Sequence, residues 1–401
     1  MPQPSSRISS IVPSGKDGWE VHFEAWHRRQ AGEDIIMLSA GDHDFETPRP
    51  TVDACVGHLL AGHHHYSPLA GAPRLRQAMA DVSTRCTGVT TAPEEVLATP
   101  GGQLALFAAI QATLDPAAHA IVVAPYYATY PGTFRAAGAR FSEVEARAQD
   151  GFQPDLAAIE AAVEPTTRAI LINSPNNPTG AIYSRESLEG LADICRRHDL
   201  WLISDEVYWS LTGNTPHLSP RALPGMAERT LVVNSMSKSH GMTGWRIGWL
   251  TAPAHMIRLL TGLNMVTTYG LADFTWRAAC DALELHHGVD EIAARYATRR
   301  QAFSQAIEEF DEIVPRGSEG GIYTMLDISA VEPDCEAFAW GLLREEKIAV
   351  MPGSSFGQAA RGHIRVSLCQ PESVLIDAAN RIGGFARRLG TTRRTLRKTT
   401  D

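Results

Sequence analysis

The chain has 401 residues, 44% of them hydrophobic and 20% charged, an ordinary globular composition with enough apolar material for a large buried core. Its net charge of -9 argues against nucleic acid or an anionic membrane as the main partner. The six cysteines (Cys55, Cys86, Cys195, Cys280, Cys335 and Cys369) are scattered without a C-x-x-C pair, which fits reduced thiols in a cytoplasmic protein rather than disulfides or a zinc site.

The N-terminal stretch MPQPSSRISSIVPSGKDGWE has no apolar signal-type core, and no apolar run approaches a membrane span. The segment TPGGQLALFAAIQATL, 99–114, reads as a Gly-Gly turn opening a helix, with free N–H groups at Gly101, Gly102 and Gln103 forming an anion site. Such a turn is weak evidence by itself. Short apolar runs follow: AIVVAPYY (120–127), AILINSP (169–175), LWLISDEVY (200–208), TLVVNS (230–235) and WRIGWLTAP (245–253). They read as buried strands of a parallel sheet covered on both faces. The helical pattern SRESLEGLADICRRHD, 184–199, with Ser184 and Ser187 as caps, shows the alternation of an α/β doubly wound core. After about residue 285 a long helical segment leads to the strand-like GGIYTMLDIS and GHIRVSL of a smaller α+β unit. The expected division is 46–284 for the large unit and 1–45 with 285–401 for the small one. The basic tail RRLGTTRRTLRKTTD reads as a frayed, solvated end.

Chemistry concentrates in a few strand-end loops. In NSMSKSHGMTGWRIGW, 234–249, Lys238 sits in a loop just after a strand, flanked by Ser235, Ser237, Ser239 and Gly241. An imine-forming lysine needs a lowered pKa and a fixed approach, which a crowded strand end supplies. Arg246, eight residues on, can grip a phosphate, with Ser235 as a second donor. Asp205 ends the strand LWLISD, where ligands of open parallel sheets bind. It can pair with a protonated pyridine nitrogen, the competing role being a helix cap. Tyr208 and Asn177, the latter in NSPNNPTG ahead of a proline, can both reach a phenolic ring oxygen, and Tyr127 of PYYATYP can stack on a flat ring. Arg365 in GHIRVSL needs an anionic partner or a route to water, and its planar fork suits a carboxylate; a structural salt bridge is the alternative.

Together these residues resemble the class I/II aminotransferases, pyridoxal-phosphate (PLP) enzymes of fold type I, most of all their arginine–pyruvate and aspartate-aminotransferase-like branch. The likeness runs from roughly Gly15 to Arg381 through LSAGDHDFETP, HYSPLAGAPRLRQAMA, GGQLALF, PYYATYP, NSPNNPTG, SDEVYW, NSMSKSHGMTGWRIGW, GGIY, MPGSSFG and HIRVS, in the family's order. The resemblance implies a mostly parallel central sheet flanked by helices, with a smaller α+β domain. It implies ping-pong transfer of an amino group from a 2-amino acid (arginine or aspartate-like) to a 2-oxo acid (pyruvate or 2-oxoglutarate). Lys238 would form the internal aldimine and move the substrate proton. Asp205 would hold the ring nitrogen, Asn177 and Tyr208 the ring oxygen, and Tyr127 would stack on the ring. Gly101, Gly102, Gln103, Ser235 and Arg246 would hold the phosphate. Arg365, Asn177 and the backbone near Gly41 would take the substrate carboxylate. Tyr66 would reach the phosphate of a neighbouring subunit, implying a homodimer with shared sites. His43 departs from the family's Gly-x-Pro-Asp-Phe pattern and reads as a surface histidine. The same motifs fit a C–S β-lyase or another PLP enzyme on this fold. A regulator's sensor domain is a further reading, but the residues before the resemblance hold no helix-turn-helix pattern.

Overall fold

A computed structural model describes residues 2–11 and 18–400, with side chains described as far as residue 391; Gly15, where the likeness begins, lies outside these residues. The chain builds a seven-stranded sheet in the order Arg140–Glu145, His119–Ala124, Thr167–Asn173, Trp201–Asp205, Thr230–Ser235, Gly248–Thr251, Val96–Thr99. Every residue of His119–Ala124 and Thr230–Ser235 is buried, as the unbroken apolar runs predict for strands covered on both faces. The edge strand Arg140–Glu145 is instead largely solvent-accessible and charged, which blunts it against pairing with other chains.

Gly248–Thr251 alone runs opposite to the other six strands, pairing antiparallel with both its neighbours. It is shorter than the expected 245–253, because Thr243–Trp245 forms a 3-10 turn and Arg246 takes a left-handed backbone (φ 56°) that no strand accommodates. The helix Arg185–Arg197 begins where expected: Ser184 accepts from the Ser187 amide, while the Ser187 hydroxyl turns to Gln153 instead of capping.

The remaining strands form an antiparallel sheet in the order Met351–Pro352, His363–Ser367, Tyr323–Asp327, Val314–Arg316. Its core joins Ile322, Leu326, Ile364 and Val366 to Phe303, Phe338, Leu342 and Ile382 from flanking helices, and Val21, Ala25 and Leu38 pack into the same cluster. Ile36–Met37 also pairs in parallel with Ile348–Ala349. The first helix, Ser6–Ile11, does not join them; it packs on Tyr130–Ala137, beside the large sheet.

The tail is not a frayed end either, since the final helix runs Glu372–Thr400. Leu375, Ala379, Ile382 and Ala386 recur at helical spacing and anchor its first half, and no proline interrupts the second. Among the described residues no helix is long and apolar enough to cross a membrane.

Candidate active site

Because neighbouring strands are parallel, their C-terminal ends meet at one edge. There Asn173 lies opposite Asp205 in register, and Asp205 lies opposite Val233, two residues before Ser235. A cavity of about 240 Å³ opens at this edge. Gly102, Gln103, Tyr127, Asn177, Asp205, Tyr208, Ser235, Lys238 and Arg246 line it, and Gly41 and Arg365 reach it from the other sheet's side. Eleven positions spread over more than three hundred residues of chain are thus gathered around one space.

Lys238 is not in a loop but in a one-turn helix, Met236–Ser239. Ser235 opens that turn by accepting from the Ser237 amide through its hydroxyl (3.0 Å). The Lys238 ammonium donates to the carbonyl of Gly41. Burial lowers its pKa from that of an ordinary lysine, with the nearby Arg365 and Arg246 charges adding to the effect and Cys369 and Asp42 opposing it. An amine poised this way loses its proton more readily and so becomes a nucleophile.

Asp205 is buried, and its carboxylate accepts from the Tyr130 hydroxyl (2.6 Å) and the Val207 amide (3.3 Å). Burial pushes its pKa up to about 6, only partly offset by those two bonds. Among the described residues it has no cationic partner; its bond to the Val207 amide closes a turn rather than a helix, and its charge awaits a positive group from the cavity.

Arg365 presents the opposite case. It is 3% exposed within His363–Ser367, donates to Asn177 Oδ1 (3.0 Å) and the Ser39 carbonyl (2.5 Å), and lies over the rings of Tyr323 and Phe356. None of these partners is an anion, so the structural salt bridge considered for it is absent among the described residues, and the buried guanidinium needs a carboxylate from outside. Accepting from Arg365 leaves the Asn177 amide nitrogen as that side chain's donor toward the cavity. Burial holds the pKa of Tyr208 well above the tyrosine range, so its hydroxyl stays a donor.

The end of the cavity expected to take a phosphate is formed by the helix Gly102–Thr113. The Gly101 amide is not free, since it donates to Thr99 (2.7 Å); the amides of Gly102, Gln103 and Leu104 in the first turn have no carbonyl partner within the helix. Arg246 lies against Gly101 so closely that a Cβ there would fall 2.3 Å from its Nη2, and Gly101 is also left-handed (φ 83°). Gln103 is held by Thr129 and Thr133, and the Ser235 hydroxyl faces Ser237.

Tyr66 is outside this cavity: it is 86% exposed and packs edge-on against Tyr269. His43 is not on the surface; it is half-buried, bonded to Tyr296 (2.6 Å) and to the carbonyl of Ser237 (3.0 Å). Tyr130, Tyr323, Trp19 and Ser237 belong to the site as well, although the motifs assign them no role. Tyr130 sits three residues after Tyr127 in PYYATYP, the one local sign of it. Tyr323 closes on Gly41 so tightly that a Cβ there would stand 1.7 Å from its hydroxyl.

A half-buried amine, a buried carboxylate lacking a cation, a guanidinium lacking an anion and the N-terminal end of a helix converge on one cavity at the C-terminal edge of an α/β sheet. That combination suits an enzyme holding a small charged ligand at the sheet edge, as the resemblance to the PLP enzymes of fold type I implies. The profile of aminotransferase class I and II matches residues 33–382. An arginine–pyruvate transaminase of Pseudomonas aeruginosa is 40% identical over 373 residues, covering 93% of this chain and 95% of that protein. An aspartate/prephenate aminotransferase of Thermus thermophilus is 38% identical, covering 96% and 98%. The solved aspartate aminotransferase of T. thermophilus with maleate superposes with a TM-score of 0.90 at 36% identity, covering 96% of this chain and 100% of that one. The chain belongs to the class I and II aminotransferases. It is a PLP-dependent transaminase of fold type I.

Proposed function

We propose that this enzyme moves the amino group of arginine or an aspartate-like donor to pyruvate or 2-oxoglutarate, with Lys238 as its cofactor lysine. The observation that carries the site assignment is the pair of unmatched charges, Asp205 without a cation and Arg365 without an anion among the described residues, lining the same cavity as Lys238. A PLP ring with its cationic nitrogen, and a substrate α-carboxylate, answer those two needs. PLP supplies the electron sink that makes the substrate Cα–H acidic.

Each chain residue has a definite task. Arg365, with Asn177 and the backbone at Gly41, binds the substrate carboxylate and so orients the Cα–H toward Lys238 Nζ. Lys238, with its lowered pKa, is neutral often enough to take that proton and to return it one position further along. Asp205 holds the ring nitrogen in its protonated form, with Tyr130 fixing the carboxylate. Tyr208 and Asn177 donate to the ring oxygen, Tyr127 stacks on the ring, and Gly102, Gln103, Ser235 and Arg246 hold the phosphate.

We further read residues 46–284, with the helix Ser6–Ile11 packed on them, as the cofactor-binding domain, and 19–45 with 285–401 as the small domain that brings Arg365 to it. A homodimer with shared sites is supported by the exposed Leu60, Tyr66, Val266 and Tyr269, apolar surface that a monomer in water seldom leaves uncovered. Tyr66 would reach the partner's phosphate. A cytoplasmic location rests on the six unpaired cysteines.

The test is to add single amino acids to the PLP-loaded protein with no oxo acid present. Its visible band bleaches with true donors, ranking arginine against aspartate and alanine, and pyruvate or 2-oxoglutarate restores it. A band that persists while pyruvate and ammonia accumulate refutes transamination of that donor. Lys238→Ala abolishes both band and turnover; undiminished activity in that variant refutes the lysine assignment.

A further inference from the structure

We propose that His43 is a positioning residue: donating from Nε2 to the carbonyl of Ser237, it holds the turn that carries Lys238, at the end of a directed hydrogen-bond chain from Cys369 through Tyr296. The proposal rests on Lys238 being the cofactor lysine.

The direction of the chain is set by its members. A carbonyl only accepts, so the 3.0 Å contact to Ser237 requires the proton on Nε2. In a neutral ring Nδ1 is then an acceptor, and the Tyr296 hydroxyl, 2.6 Å away, must donate to it. That leaves the Tyr296 oxygen to accept from the thiol of Cys369 at 3.2 Å. Every group is in the protonation state this requires. Burial, followed by the charge of Lys238, depresses the His43 pKa to about 4, outweighing the bond to the Ser237 carbonyl and the charges of Asp42 and Asp44, so the ring is neutral at pH 7. Burial raises the pKa of both Tyr296 and Cys369, so both keep their protons.

The bond falls where the turn needs it. Met236–Ser239 is a single turn, so the Ser237 carbonyl finds no amide four residues on within that helix. The Ser237 amide is already held by Ser235, and His43 holds the other side of the same residue. Gly41, two residues before His43, receives the Lys238 ammonium on its carbonyl. One short segment therefore touches Lys238 at its side-chain end and at the peptide bond that precedes it. That segment is itself pinned: Asp42 accepts from Thr243 (2.7 Å), and Asp44 takes a two-point bond from Arg299 (2.7 and 2.8 Å). A proline, the residue of the family pattern at this place, has no donor to offer.

The experiment separates the two nitrogens. His43→Gln carries an amide nitrogen to the Nε2 position and keeps the donor to Ser237. His43→Asn places its amide at the Nδ1 position and loses that donor. In the PLP-loaded proteins, Asn is expected to move the pH midpoint of the visible band by about half a unit or more and to lower kcat by about tenfold with KM little changed. Gln is expected to stay near the unaltered protein in both. Equal shifts in the two variants, or none in either when both are folded by circular dichroism, overturn the proposal. Nitrogen-15 NMR of the unaltered, cofactor-free protein tests it independently of any variant. A neutral ring protonated at Nε2 at pH 7 is expected; the Nδ1 tautomer, or a doubly protonated ring, overturns it. Unaltered protein that forms no visible band with PLP refutes the lysine assignment instead, a failure visible before any variant is made.

Discussion

Replacing Arg365 by glutamine tests the central reading, because it removes the charge while leaving a planar donor for Asn177 or Ser39. The side chain is 3% exposed, so its attraction for a carboxylate is little screened by water. Truncating one member of a buried, hydrogen-bonded charge pair costs about 2–5 kcal/mol. At roughly 1.4 kcal/mol per factor of ten, kcat/KM for an amino acid donor falls roughly 30- to 4,000-fold. The assay is the half-reaction, followed as loss of the visible band, with each amino acid compared with the amine that lacks its carboxylate. The amine should react slowly and at nearly the same rate in both proteins, since it never had the guanidinium as partner. An equal loss for acid and amine would refute the reasoning, and would mean that Arg365 supports the fold around Asn177 and Ser39 rather than the substrate.

Three other outcomes rest on the same geometry. In the cofactor-free protein the Asp205 pKa is raised from 3.8 to about 6, so this carboxyl's favourable contribution is full below about pH 3.8 and is lost as pH rises through 6. Relative to Asp205→Asn, unaltered apoprotein should lose about 3 kcal/mol of unfolding free energy across that window, read by urea titration at several pH values; identical pH profiles would contradict the burial argument. Tyr130→Phe removes the 2.6 Å bond to Asp205 and should weaken PLP binding by roughly 5- to 140-fold, about 1–3 kcal/mol, in a fluorescence titration. Far from the site, Arg221 is 1% exposed and paired with Glu95 at 2.8 Å. Glu95→Ala should therefore lower stability by about 3 kcal/mol in thermal denaturation and leave kcat unchanged.

Much of this protein was legible in its sequence because the chemistry demands certain residue types at certain places. Asp205, Asn177 and Lys238 each stand just past a β-branched apolar run, and a run of that kind announces a buried strand whose end opens on the ligand edge. The Gly-Gly turn before Gln103 and the cap at Ser184 are equally local signals. The features that depended on tertiary structure are of another kind. Whether Arg365 meets an anion, whether Asp205 meets a cation, and whether His43 faces water are decided by residues from remote parts of the chain: Asn177 and Ser39, Tyr130, Tyr296 and Ser237. Periodicity and turn chemistry describe neighbours in sequence, and they say nothing of which side chains desolvate one another. The left-handed Arg246 that shortens its strand, and the reversed direction of Gly248–Thr251, likewise depend on contacts with Gly101 and with two other strands. The sequence alone determined which groups are candidates for the chemistry, since those are set by residue type. Only the folded chain decided their charge states and partners, because burial and pairing are properties of the space between distant segments.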